Sequence, residues 1–352
     1  ATHGVAVDIS ATGNVGYHFG NWTITSGSAT IADPNSAATT IILQSGNATV
    51  QANFVINTYQ LTVVSGGNGT IVDPLASPVS ATHGVAVDIS ATGNVGYHFG
   101  NWTITSGSAT IADPNSAATT IILQSGNATV QANFVINTYQ LTVVSGGNGT
   151  IVDPLASPVS ATHGVAVDIS ATGNVGYHFG SWTITSGSAT IADPNSAATT
   201  IILQSGNATV QANFVINTYQ LTVVSGLNGT IVDPLASPVS ATHGDTINIS
   251  ATGSVGYHFG NWTITSGSAT IADPNSAATT IILQSGNATV QANFVINTYQ
   301  LTVVSGGNGT IVDPLASPVS ATHGVAVDIS ATGNVGYHFG NWTITSGSAT
   351  IA

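Results

Sequence analysis

Two histidines recur in each 80-residue period of this chain, His3 and His18 in the first copy, together with three aspartates, Asp8, Asp33 and Asp73. Imidazole and carboxylate are the side chains of metal sites and of acid–base hydrolysis. Their local settings point to structural roles instead. His18 falls on the outer face of a predicted strand, Asp33 and Asp73 precede prolines in turns, and Asp8 is replaced by Asn248 in the fourth copy. That carboxylate is therefore not a required ligand. Serine is abundant, but no Gly-x-Ser-x-Gly elbow is present to expose a nucleophile. Calcium is the cation that unpaired aspartates suit best, and with so few carboxylates per period backbone carbonyls would have to complete its shell. Near-identical copies offer no asymmetric pocket with acid, base and electrophile in separate roles, so the chain reads as a non-enzyme.

The other chemistry written into the sequence is the Asn-x-Ser/Thr acceptor for N-linked glycans. It occurs at Asn21, Asn47 and Asn68, and again at Asn101, Asn127, Asn148, Asn207, Asn228, Asn261, Asn287, Asn308 and Asn341. Ser181 removes one copy of the signal and Asn248 adds another. The physical argument for glycans is solubility: a chain with 42% apolar and only 4% charged residues needs a hydrophilic coat.

The charge inventory excludes several partners. There is no Lys or Arg, all 13 charged side chains are Asp, and the formal net charge is −13. Nothing neutralises a phosphate backbone, so nucleic acid is excluded, and anionic membrane surfaces are equally poor partners. No apolar run approaches the ~18 residues of a membrane-spanning helix, and no basic segment followed by an apolar stretch marks a secretion signal. The absence of Met suggests a processed chain or a fragment of a longer one. Without Cys there are no disulfides or thiolate metal sites. A chain lacking Lys, Arg, Cys and Met escapes trypsin-like proteases and the usual sulfur oxidations, which suits a place outside the cell.

What must position these residues is a tandem repeat. Residues 1–80 and 81–160 are identical, and later copies differ only at Ser181, Leu227, Asp245 to Asn248 and Ser254. Alternating β-branched and aromatic residues predict strands throughout, and no stripe of period 3.6 supports a helix. The centre of each copy is Gly-Tyr-His-Phe-Gly-Asn-Trp, Gly96 to Trp102 in the second. Tyr97 and Phe99 share one face, and the apolar parity then shifts to Trp102 and Ile104, which calls for a β-bulge at Gly100 if all are to face one core. The expected core is Tyr97, Phe99, Trp102, Phe134 and Tyr139. The Asn68-Gly69 pair predicts a hairpin, and the stretch from Asp73-Pro74 to the next copy reads as irregular.

Parity changes again at Asn57-Thr58, from Phe54 and Ile56 to Tyr59, Leu61 and Val63, with no Gly- or Ser-rich linker. Set there, the boundaries give a partial module at 1–57, modules at 58–137, 138–217 and 218–297, and a partial module at 298–352. Each module then runs through Tyr59-Gln60-Leu61-Thr62-Val63, Gly67-Asn68-Gly69-Thr70, Gly84 with Val87-Asp88-Ile89-Ser90-Ala91, Gly96 to Trp102 and Ala128 to Phe134. In this ordering the chain resembles the divergent internalin-type B-repeat family. It departs from the family in its longer 106–125 segment and its lack of Lys, Arg and Glu. The resemblance implies small β domains strung in tandem on secreted or surface-attached bacterial proteins, and it brings no catalytic residues.

The expected architecture is thus all-β, an array of ~80-residue sandwich-like modules forming an extended rod. The expected role is structural, in an extracellular filament, fibre or surface stalk whose partners are copies of itself or further modules. An adhesin or carbohydrate-binding array is the alternative, since aromatic rings stack on sugars and repetition gives avidity. The burial of Trp102 and its copies discriminates between the two: buried rings favour the rod and exposed rings the array.

Overall fold

The alternation of Leu61 and Val63 with Gln60 and Thr62, and of Val130 and Ala132 with Thr129 and Gln131, gives each strand one apolar face to bury. The computed structural model describes all 352 residues, and every regular element in it is a strand. The first complete module has eight: β1 (Thr58–Ser65), β2 (Gly69–Asp73), β3 (Val79–Thr82), β4 (Ala86–Gly93), β5 (Tyr97–Ser106), β6 (Ala109–Ile111), β7 (Ala118–Leu123) and β8 (Ala128–Ile136). They form two four-stranded sheets, ordered β3-β1-β8-β5 and β2-β4-β7-β6. All pairings are antiparallel except one. The first strand β1 and the last strand β8 lie side by side and parallel, Leu61 opposite Ala128 and Ser65 opposite Ala132.

The sheets close over a core of Leu61, Val63, Ala81, Ile89, Ala91, Trp102, Ile121, Leu123, Ala128, Val130 and Ala132. Trp102 is its largest member, 2% exposed. Its ring lies 5.5 Å from that of Phe99, which meets Phe134 edge-on at 6.1 Å. The indole N–H donates to the Ser116 carbonyl at 3.1 Å, and the Trp102 backbone N–H donates to the Pro114 carbonyl at 2.7 Å. One residue thereby fills the core and ties the 112–117 turn across β5. The parity shift has the expected cause: Phe99 pairs with Phe134 and Asn101 with Asn133, leaving Gly100 bulged without a partner.

Four expectations change. Asn68-Gly69 makes a turn, with Asn68 at φ 63°, but not a hairpin. Both flanks of β1 are already occupied, by β3 and β8, so β2 crosses to the other sheet and pairs with β4. Ser65 Oγ ties that crossing, donating to the Gly69 carbonyl at 2.6 Å and accepting from Gly67 N–H at 3.2 Å. Second, the stretch read as irregular contains β3, whose short polar sequence becomes a strand through its pairing with β1. Third, Tyr97 is half-buried and lies outside the core, because it sits opposite Ile136 at the far end of the sheet. Fourth, Ile104 stands at the rim, 37% exposed. Phe99 and Phe134 pack on the core as half-buried residues, and Tyr139 packs on the core of the following module.

The module over 138–217 repeats this arrangement strand for strand. Over 218–297 the chain runs unbroken through Tyr257–Ile271 and Ala278–Ile296, and the long second strand joins the two sheets. Residues 1–57 form a three-stranded sheet, and residues 298–352 contribute two strand pairs. Trp102→Ala removes the centre of one core and is expected to cost about 3–5 kcal/mol, against a total stability of about 5–15 kcal/mol for a small domain. Calorimetry should show one module melting early; a loss below about 1 kcal/mol would displace Trp102 from this role.

Candidate functional site

The structure separates most of the groups whose chemistry was considered. Asp113 accepts the Asn115 backbone N–H at 2.9 Å, an Asx-turn that holds the β6–β7 connection. Asp73 and Asp88 line one shallow depression on the outer face of the second sheet, with Ser90, Thr119 and Thr120. No histidine joins them, and no cluster of three or more histidine and aspartate side chains is formed. Calcium would have a carboxylate pair there in most copies, but in the module over 218–297 Asn248 stands in place of one partner.

The outer face of the first sheet carries neutral amides and hydroxyls. Gln131 donates to Asn133 Oδ1 at 2.9 Å, and Asn133 donates onward to Asn101 Oδ1 at 3.0 Å and Thr103 Oγ1 at 3.1 Å. Where Ser181 replaces asparagine, Asn213 turns to the Ser181 carbonyl at 3.2 Å and keeps its bond to the Thr183 hydroxyl at 3.1 Å. The acceptor asparagines fall into two settings. Asn101 and its copies Asn21 and Asn261 are half-buried in this amide ladder. Asn68, Asn148, Asn228 and Asn308 are exposed in left-handed turns, Asn127 and Asn207 are exposed in the β7–β8 connection and its copy, and Asn287 is exposed within the unbroken strand Ala278–Ile296.

Geometry directs attention to the ends of the module. Because β1 and β8 are parallel neighbours, the chain enters at one end and leaves at the other. Counting along the pair, Thr58 lies three residues before the Leu61–Ala128 rung and Ile136 eight residues beyond it. At about 3.3 Å per residue, entrance and exit stand roughly 35 Å apart. A single residue, Asn137, separates β8 from the next strand, Thr138–Ser145. Both histidines of the period gather at this joint: His98 Nδ1 shares a hydrogen bond with Asn137 Oδ1 at 2.7 Å, and the His163 backbone N–H donates to the Asn137 carbonyl at 2.9 Å. Sequence reasoning did not connect these histidines; the signal available was the absence of any linker between two strands of opposite parity.

A family model for the divergent InlB B-repeat domain matches residues 1–58, 59–138, 139–218, 219–298 and 299–352. The chain belongs to this family. Its B-repeats therefore account for the whole sequence, and such repeats are typically surface-associated. No curated protein matches the chain. Among solved structures, the Bacillus anthracis TIE protein is similar at 10% identity, with a TM-score of 0.31, over 79% of this chain and 58% of that one. The chain thus spans less than two thirds of the length of that protein.

The two asparagine settings give a measurable distinction. An enzyme that glycosylates the folded chain should modify the exposed turn Asn148 and leave the half-buried Asn101 free, read by mass spectrometry of peptides from the two sites. Equal occupancy at both would mean that folded accessibility does not control the reaction.

Proposed function

We propose that this B-repeat chain is a non-catalytic extracellular stalk, or the repeating part of a filament, that holds something at a distance from a cell surface. The observation that carries the reading is the parallel pairing of β1 with β8, which puts entrance and exit at opposite ends of each module. A chain built this way advances with each repeat. With near-identical joints the same rotation and rise recur, and a constant operator generates an extended helix in place of a closed particle. The composition fits exposure outside the cell, since it offers no Lys, Arg, Cys or Met to common proteases and oxidants.

Burial of the aromatic rings supports the stalk over a carbohydrate-binding array. Trp102, Trp182 and Trp262 are each 2% exposed, and their indole N–H groups are bonded within the module. They present no platform to a sugar.

Small-angle scattering discriminates between an extended and a folded-back chain. Four and a half repeats at roughly 35 Å each give a length on the order of 150 Å, hence a radius of gyration of about 40 Å; a compact particle of this size would have about 20 Å. A value near the smaller figure would refute the stalk.

A further inference from the structure

We infer that Asn137, Gly96 and His163 form a latch that fixes the angle between consecutive modules, and that the partner it accepts is a following repeat of this same kind. The inference rests on the stalk reading and names where its stiffness resides.

Asn137 is the one residue between two strands, and its polar groups are divided between the two modules. Its N–H donates to the Gly96 carbonyl of the preceding module at 2.8 Å, and its carbonyl accepts the His163 backbone N–H of the following module at 2.9 Å. The side chain repeats the division. Oδ1 meets His98 Nδ1 of the preceding module at 2.7 Å, and Nδ2 meets the Tyr139 hydroxyl of the following one at 3.4 Å. An extended chain held by its backbone from both sides cannot swivel at that residue without breaking bonds, each worth about 1 kcal/mol net.

Packing supplies the second element. The His163 ring lies directly over Gly96, which is buried at φ +83°; a Cβ built there would stand 2.2 Å from His163 Cδ2. Glycine is thus required twice, for its backbone conformation and for the ring above it. Tyr139 meets the same ring edge-on at 6.1 Å. His163 Nδ1 and His243 Nδ1 are buried without a hydrogen-bond partner, whereas the equivalent His83 Nδ1 meets the Tyr59 hydroxyl at 3.4 Å. The contact recurs as Gly16 with His83, Gly176 with His243 and Gly256 with His323.

The absence of cysteine permits a direct test. Thr110→Cys and Thr190→Cys place spin labels at equivalent exposed positions of consecutive modules. In the otherwise unchanged chain the interlabel distance distribution should be narrow. Asn137→Ala and His163→Ala should each widen it about twofold, as expected when a fixed joint becomes a flexible one. Gly96→Ala should do the same or prevent docking. Both alanine variants leave the core residues untouched, and an unchanged calorimetric transition for each module verifies folding. Unchanged widths in Asn137→Ala and His163→Ala, with scattering still showing an extended chain, would overturn the latch and leave the stalk standing. A compact unmodified chain would overturn the stalk reading itself.

Discussion

The pairing of the first strand of each module with its last is the constraint on which the rest of the structure depends. Parallel neighbours cannot be joined by a tight turn, so everything between β1 and β8 has to travel out and back. With β3 on the other side of β1, no place remains beside β1 for β2. It crosses over and pairs with β4, and the second sheet is built around that pair. The same pairing gives the module two separate ends, so folding of each repeat also determines where the next one begins.

Charge contributes almost nothing to holding this fold together. With no Lys or Arg there are no ion pairs between side chains of the usual kind, and cohesion comes from burial and hydrogen bonding. Each core joins leucine, isoleucine, valine and small alanines around one tryptophan, and no polar side chain is fully buried within it. The outer face of the first sheet is satisfied by amides bonded to one another. Such a surface has little need of counter-ions and can repeat many times without accumulating cationic or mixed-sign patches.

The few differences between copies fall where the fold tolerates them. Leu227 replaces a glycine that the other copies hold at positive φ; at Leu227 the backbone leaves that region, and the leucine side chain is exposed. Thr246 and Asn248 lie on the outer face of the copy of β4, while Ile247 and Ile249 keep its inner face apolar. Ser181 replaces the amide acceptor with a shorter hydroxyl at 3.4 Å from Asn213 Nδ2, and its carbonyl shares the donor at 3.2 Å. Nothing in the structure explains why Asn94 becomes Ser254, since the backbone bond of that turn is kept.

Much of the module was legible in the sequence because it depends on local periodicity. The all-β character, the bulge at Gly100, the central tryptophan and the family follow from alternation, from an interrupted parity and from the order of short motifs. Pairing partners did not. The Asn68-Gly69 turn looks the same whether the strands it joins pair with each other or diverge, and only the occupied flanks of β1 decide. Val79–Thr82 carries no strand signal of its own and becomes one by lying against β1. Residues 337–342 repeat the sequence of the β5 core, and with no strand paired to them they form none. Identical residues thus take different structures according to their neighbours: alternation determines which face a strand would bury, while the surface that buries it is supplied by residues distant in sequence, and only the tertiary structure brings those into place.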